Sequence, residues 1–303
     1  MSVVVGVALE TEALRQRWIA ELVPLLEDCE VVDAETRPAE DIEVAVVGNP
    51  PGRSLERFPS LRFAQSTWAG VEHLAEDLPL IPVARMAAPE FSLLMTEMTL
   101  TAVLMLHRHI PAYRRQQQAA EWRPHPVRPA SERRVGVLGF GELGRPAALR
   151  LASSGFQVKA WARSRRDDEV EVLTGESGWE RLLGESDVVV NLLPLTPATR
   201  GILDREAFEL MPEGAALVNL ARGGHVVEPD LLTALDTGRL SDAVLDVFIE
   251  EPLPESHPFW THARVTVLPH IAAPSNPSQL APHVAANIRR FLDGDEPRFL
   301  VRP

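Results

Sequence analysis

The stretch Val135-Gly-Val-Leu-Gly-Phe-Gly-Glu-Leu-Gly144 constrains the fold more than any other part of the chain. Val135 to Leu138 is an apolar run suited to a parallel strand buried on both faces. Gly139, Gly141 and Gly144 then give G-x-G-x-x-G. Ala147, Ala148, Leu149 and Leu151 continue as a helix, which Gly155 ends. Phe156-Gln-Val-Lys-Ala-Trp161 reads as the next strand. Three glycines alone make an ordinary turn. Strand, glycine turn, helix and strand in this order make a unit that sets a pyrophosphate on a helix N-terminus. The reading is therefore a dinucleotide-binding unit.

An acidic residue about twenty positions past the glycines is the expectation for NAD. Arg163-Ser-Arg-Arg166 stands there instead. Guanidinium groups suit a 2′-phosphate, so NADP(H) is expected in preference to NAD(H). The competing reading is a solvated basic face, because Asp167-Asp-Glu169 follows directly.

At 303 residues the chain has room for two domains. Its net charge of −13 argues against a nucleic-acid partner. Lys159 is the sole lysine, so arginine supplies almost all positive charge. Cys29 is the sole cysteine. That excludes an intrachain disulfide and a cysteine metal cluster, and no metal is expected; Cys29 itself reads as a small apolar filler. The first residues, Met-Ser-Val-Val-Val-Gly-Val, lack a basic segment and a cleavage pattern and read as a strand. No uninterrupted apolar run reaches membrane-spanning length, which points away from a membrane. A soluble, cytoplasmic protein is expected.

Residues 2–8 read as a strand. Glu12 to Leu26 reads as a helix with Leu14, Trp18, Leu22 and Leu26 on one face. Val44 to Val47 and Phe63 to Ser66 read as further strands, the first ended by Gly48-Asn-Pro-Pro-Gly52. Ser92 or Thr96 is placed to cap a long helix that runs on into Tyr113-Arg-Arg-Gln-Gln-Gln118. The Pro- and Arg-rich residues from Arg123 to Arg133 read as a loop. Later strands are expected at Val188 to Leu193, Ala216 to Asn219, Ala243 to Asp246 and Val265 to Leu268. A last helix, Leu280 to Leu292, follows Pro274. Alternating strands and helices imply α/β architecture with parallel sheets.

Three polar groups sit just past expected strand ends, where open α/β sheets bind ligands. They are Arg222, a carboxylate from Asp246, Glu250 or Glu251, and His270. A 2-keto acid carries a carboxylate and a ketone. Arginine grips a carboxylate with a planar fork. Histidine delivers a proton to a carbonyl oxygen as hydride arrives at the carbon. A glutamate beside the imidazole fixes its tautomer and favours its charged form. On the residues alone Glu250 and Glu251 compete for that place, and His225 stays a candidate beside Arg222. A lone arginine past a strand is more often a surface ion pair, and most of the nine histidines are expected to do no chemistry.

Together these segments resemble the D-2-hydroxyacid dehydrogenase family, and most of all its NADPH-dependent glyoxylate/hydroxypyruvate reductase branch. The resemblance runs from about Thr67 to Pro297. It rests on Gly139-Phe-Gly-Glu-Leu-Gly144, Asn191-Leu-Leu-Pro-Leu-Thr-Pro197, Val218-Asn-Leu-Ala-Arg-Gly-Gly-His-Val-Val-Glu228, Leu245-Asp-Val-Phe-Ile-Glu-Glu-Pro-Leu-Pro254 and Pro269-His-Ile-Ala-Ala273, in the family's order. It implies a flavodoxin-like substrate-binding domain, residues 1–95 plus 275–303, and a Rossmann domain, residues 96–274. It implies reduction of a small 2-keto acid, with Arg222, Glu251 and His270 as the catalytic set. Cofactor contacts are implied at Gly139, Gly141, Glu142, Leu143, Gly144, Arg163, Ser164, Arg165, Leu193, Pro194, Leu220 and Ala221. Asp246 matches the aspartate that contacts the nicotinamide amide. Ala69, Gly70 and Val71 are implied to offer backbone N–H groups to the substrate carboxylate, beside Trp68 and Arg222. The long helix past Thr96 matches the element on which the family builds a homodimer.

Two departures matter. Trp68 stands where many relatives have glycine, so larger or aromatic 2-keto acids are an alternative substrate class. Glu142 places a carboxylate inside the phosphate turn; pointed to solvent it costs little, and Arg145 is placed to offset it. A dinucleotide-sensing regulator without catalysis is the rival reading from another class.

Overall fold

The computed structural model describes residues 2–48, 54–70, 81–164 and 168–301. Val71, Arg165, His73 and most of the turn at 49–52 lie outside the described residues. The chain divides into two compact units, Met1–Phe91 with Ser275–Pro303, and Ser92–Pro274. The division falls four residues before the expected one, inside a helix.

The first unit holds β1 (Val3–Ala8), α1 (Glu12–Leu22), β2 (Cys29–Asp33), β3 (Val44–Val47), β4 (Phe63–Ser66) and β5 (Val83–Ala84). Its five strands are parallel and ordered β2-β1-β3-β4-β5, the flavodoxin-like order. Thr11 caps α1 by accepting the Leu14 amide. The helix stops at Leu22 because Pro24 opens a 3-10 turn, Val23–Leu25, which then delivers Leu26 to the core. Trp18, Leu22 and Leu26 are buried as expected. The last helix of the chain spans Pro277–Leu292 and packs its Leu280, Ala281, Val284 and Ile288 inward. Its Phe291 stacks on Phe63 of β4 with ring centroids 4.8 Å apart. Cys29 lies half-buried on the edge strand β2 rather than filling the core, and burial pushes its thiol up.

The second unit starts on α2 (Pro89–His107), with proline at the first helical position in place of the expected Ser92 or Thr96 cap. This helix is long and apolar enough, by length and composition, to cross a bilayer. Here its Met95, Ala102, Val103 and Leu106 belong to a protein core, which accounts for its composition. It does not run on as expected. His109 takes a left-handed conformation, φ 56°, and a separate helix α3 (Ile110–Gln118) begins.

Then follow β6 (Arg134–Leu138), α4 (Gly144–Ser153), β7 (Gln157–Trp161), β8 (Glu171–Leu173), α5 (Gly175–Glu185) and β9 (Val188–Asn191). After these come α6 (Arg205–Leu210), β10 (Ala215–Asn219), α7 (Glu228–Asp236), β11 (Leu240–Leu245), β12 (Val265–Val267) and α8, the Pro277–Leu292 helix that returns to the first unit. The seven strands are parallel in the order β12-β11-β10-β9-β6-β7-β8. Counted within the unit this is 3-2-1-4-5-6 with one strand added, the Rossmann order.

Alternate residues of the central strands feed two cores. Val188, Val190, Ala216 and Val218 join α2 and α4 on one face. Val189, Ala215 and Leu217 join α5, α6 and α7 on the other. Two-sided burial explains why these strands read as unbroken apolar runs. Polar side chains are left for the strand ends, and the strand order reverses between β6 and β9.

Candidate active site

The glycine turn lies at that reversal. Gly139 has φ +97°, and a Cβ there would sit 2.8 Å from the Leu192 carbonyl oxygen, so the turn after β6 packs directly on the turn after β9. A Cβ at Gly144 would collide with the Gly139 carbonyl. Gly141 differs. It is exposed, and a Cβ there would meet no protein atom within 4 Å. The turn is thus packed on its protein side and open above the start of α4, whose first turn holds no acid. Such a surface fits the pyrophosphate of a dinucleotide.

Glu142 is exposed, and its backbone carbonyl accepts the Ser92 hydroxyl at 3.1 Å. Arg145 is the group that was placed to offset its charge. Its guanidinium is bidentate to Asp168, at 2.6 and 3.2 Å, in the segment past β7. Leu143 is half-buried against the core. Arg163 and Ser164 are exposed just past β7. Leu193, Leu220 and Ala221 are buried at the ends of β9 and β10, and Pro194 is exposed beside them.

The three candidate catalytic residues lie past β10, β11 and β12, which are adjacent in the sheet. His270 Nδ1 lies 2.6 Å from Glu251 Oε2. The same carboxylate accepts the Phe248 amide at Oε1, 2.8 Å. Glu251, not Glu250, is therefore the imidazole's partner; Glu250 is exposed. Burial works against the charge on Glu251. The hydrogen bonds from His270 and the Phe248 amide, with the charges of His270 and Arg222, outweigh it and hold the carboxyl below its usual range.

His270 itself has φ +53°, a strained conformation for a side-chain-bearing residue. Asp246 stabilises it. The His270 amide bonds the Asp246 carbonyl at 3.0 Å, while the Asp246 carboxylate accepts the Ile271 and Ala272 amides at 2.7 and 2.9 Å. Asp246 is wholly buried, which raises its carboxyl pKa against the pull of those two amides. Asp246, the residue matched to a nicotinamide contact, thus braces the histidine loop.

Arg222 is half-buried, with Nη1 donating to the Ala221 carbonyl at 2.7 Å. Its backbone turn is pressed against the β11 turn, because a Cβ at Gly223 would overlap the Phe248 carbonyl carbon and the Ile249 amide. That glycine lets the turn bearing Arg222 touch the turn leading to Glu251. His225 is buried, with Nδ1 3.1 Å from the Arg222 carbonyl, so it faces the backbone of Arg222.

In the first unit Trp68, Ala69 and Gly70 follow β4 and are half-buried. The Trp68 amide donates to Ser66 Oγ at 3.0 Å, and Ser275 Oγ donates to the Thr67 carbonyl at 2.7 Å. The Trp68 carbonyl accepts the Met86 amide at 2.8 Å. Below them the buried Gln65 accepts from Asn287 of α8 at 2.8 Å.

Sequence reasoning passed over Asn191, Asn219 and Gly223 as positioning residues, and read Ser92 only as a helix cap. The asparagines carried a signal. Each ends a strand that is otherwise wholly apolar, Val-Val-Val-Asn and Ala-Ala-Leu-Val-Asn.

A depressed carboxyl stabilises the fold above its unfolded pKa, and the stabilisation is lost as pH falls through the folded value. Urea unfolding of the wild type and Glu251→Gln should therefore show a margin favouring the wild type at neutral pH. That margin should shrink below about pH 4.3, the usual glutamate value. A margin independent of pH would mean the charge of Glu251 does not stabilise the pair.

The chain is similar to known proteins of one family. Residues 100–272 match the family "D-isomer specific 2-hydroxyacid dehydrogenase, NAD binding domain". A glyoxylate/hydroxypyruvate reductase A of Serratia proteamaculans is 38% identical over 298 residues, covering 94% of each chain. A D-isomer specific 2-hydroxyacid dehydrogenase of Xanthobacter autotrophicus, solved with NADPH and MES, superposes with TM-score 0.90 at 36% identity, covering 98% of both chains. An NADPH-dependent glyoxylate/hydroxypyruvate reductase of Sinorhizobium meliloti, solved with NADP and sulfate, gives TM-score 0.90 at 35% identity over 99% of this chain and 98% of its own. With a Rossmann unit, a dinucleotide turn and a paired histidine at the strand ends, the chain belongs to the D-isomer specific 2-hydroxyacid dehydrogenase family.

Proposed function

We propose that this enzyme reduces a small 2-keto acid of the glyoxylate or hydroxypyruvate kind to the D-2-hydroxy acid, with NADPH as reductant. The observation that carries the reading is the His270–Glu251 pair, 2.6 Å apart, one strand end away from the turn of Arg222. The first unit serves as the substrate-binding domain and the second as the dinucleotide-binding domain.

When bound, reduced nicotinamide supplies the hydride that the ketone carbon accepts. The residues of the chain do the rest. Arg222 binds the substrate carboxylate with its planar fork. Glu251 fixes His270 Nδ1, so the proton that His270 passes to the carbonyl oxygen leaves from Nε2. The ketone carbon thus gains hydride and its oxygen gains the proton. Glu251 offsets the charge of the protonated imidazole before transfer. Asp246 keeps the loop in the one conformation that aims the ring.

His270→Ala should lower kcat by about 10²–10⁴, the range for loss of a general acid, with NADPH affinity retained. Wild-type turnover in that variant would remove His270 from the reaction.

The cofactor preference rests on Arg163, Ser164 and Arg165. Arg163 and Ser164 are exposed at the end of β7, where a 2′-phosphate comes to lie in this fold. Two relatives of similar length were solved with NADP or NADPH. Replacing Arg163 and Arg165 together by alanine should weaken NADPH binding by about tenfold or more while NADH binding stays near its starting value. Equal weakening of both would place these arginines elsewhere. A homodimer is the proposed assembly, and the exposed Leu93 and Leu104 of α2 suit a partner surface.

A further inference from the structure

Asn191 and Asn219 stand side by side, in register, at the ends of β9 and β10. Their exposures are 0% and 1%. A buried carboxamide is costly unless its hydrogen bonds are made, so the partners of each atom show what it is for. Asn191 Nδ2 donates to Asn219 Oδ1 at 3.0 Å, and Asn191 Oδ1 accepts the Leu193 amide at 3.2 Å. Asn219 Oδ1 also accepts the Ala221 amide at 3.3 Å, and Asn219 Nδ2 donates to the Arg222 carbonyl at 3.0 Å. The Leu193 and Ala221 amides can only donate and the Arg222 carbonyl can only accept, so this set fixes the orientation of both carboxamides. These bonds go to the turns beyond the strands.

We propose that the Asn191–Asn219 pair positions Arg222 for the carboxylate of the keto acid. The proposal rests on the reading of Arg222 as the carboxylate anchor. Asn219 holds the arginine at two points. It binds the carbonyl of Arg222 itself. It also binds the amide of Ala221, whose carbonyl receives the guanidinium at 2.7 Å. Backbone and side chain of Arg222 are thus registered to one buried amide. Asn191 anchors that amide to the turn at 192–194, so the turns past β9 and β10 move together. A leucine in either place would fill the volume and leave the turns without that register. The two asparagines are positioning residues and do not touch the reacting atoms.

The test is a double-mutant cycle read in KM for glyoxylate and in NADPH dissociation constant. Asn219→Ala removes the bonds to Asn191, Ala221 and Arg222 and should raise KM for glyoxylate by about tenfold or more, tenfold being the worth of one buried hydrogen bond, while the NADPH dissociation constant stays nearly constant. In an Arg222→Gln background, where KM is already raised, Asn219→Ala should add little. An equal rise in both backgrounds, or a loss of NADPH binding that parallels the rise in KM, would make the pair a scaffold and overturn the proposal. If Arg222→Gln alone leaves KM unchanged, the reading of Arg222 falls, and the positioning role with it. Should Asn219→Ala fail to fold, Asn219→Asp gives the same decision. It keeps the acceptor for Ala221 and Asn191, and only its protonated form can donate to the Arg222 carbonyl. Its KM relative to wild type should therefore improve as pH is lowered. A ratio that does not change with pH counts against the proposal.

Discussion

Two-sided burial of the central strands of the seven-stranded parallel sheet governs what the second unit can place where. Val188, Val189 and Val190 of β9 are all buried, and so are Ala215, Leu217 and Val218 of β10. A polar side chain within such a strand would meet apolar atoms on either face. Polar groups therefore gather where the apolar runs stop, at Asn191, Asn219 and Asp246. Each of these three residues spends its side chain on the backbone of a turn beyond the sheet. The chemistry of the site hangs from those turns.

The constraint reaches the imidazole through Asp246. His270 occupies a left-handed conformation that costs free energy of order 1 kcal/mol or more outside glycine. Three hydrogen bonds to Asp246, one to its carbonyl and two to its carboxylate, hold His270, Ile271 and Ala272 in place. Glu251 then faces the ring from the β11 turn, and Gly223 lets the Arg222 turn lie against that same segment. Removal of a methyl group's worth of space at residue 223 would separate the cation from the acid pair. The arrangement gathers one guanidinium, one carboxylate and one imidazole past the ends of three adjacent strands.

Much of this was legible in the sequence, because apolar runs mark strands buried on both faces and the glycines mark the turn. Both parallel sheets and the place of His270 and Arg222 at strand ends followed from those patterns. Of the edge strands, Val265–Val267 followed too, but the other three did not. Cys29–Asp33 and Glu171–Leu173 are short and carry acids, since an edge strand is solvated on one side. The long helix was taken through to Gln118 because nothing in Arg108-His109 shows a left-handed turn. The choice between Glu250 and Glu251 needed the family resemblance, as two adjacent acids point opposite ways and only the fold shows which faces the ring. The Arg145–Asp168 pair was not legible, because Asp168 is distant in sequence and near only through the β6-α4-β7 crossover. The asparagines were overlooked for want of a charge, although an amide closing an all-apolar strand is itself unusual.

The most direct measurement follows absorbance of NADPH, and in parallel NADH, as the enzyme is offered glyoxylate, hydroxypyruvate and a series of bulkier 2-keto acids, with chiral analysis of the products. The account predicts that NADPH is consumed one for one with the small acids and that hydroxypyruvate yields the D-hydroxy acid. Dinucleotide binding without turnover on every acid, or the L-product from hydroxypyruvate, would contradict it.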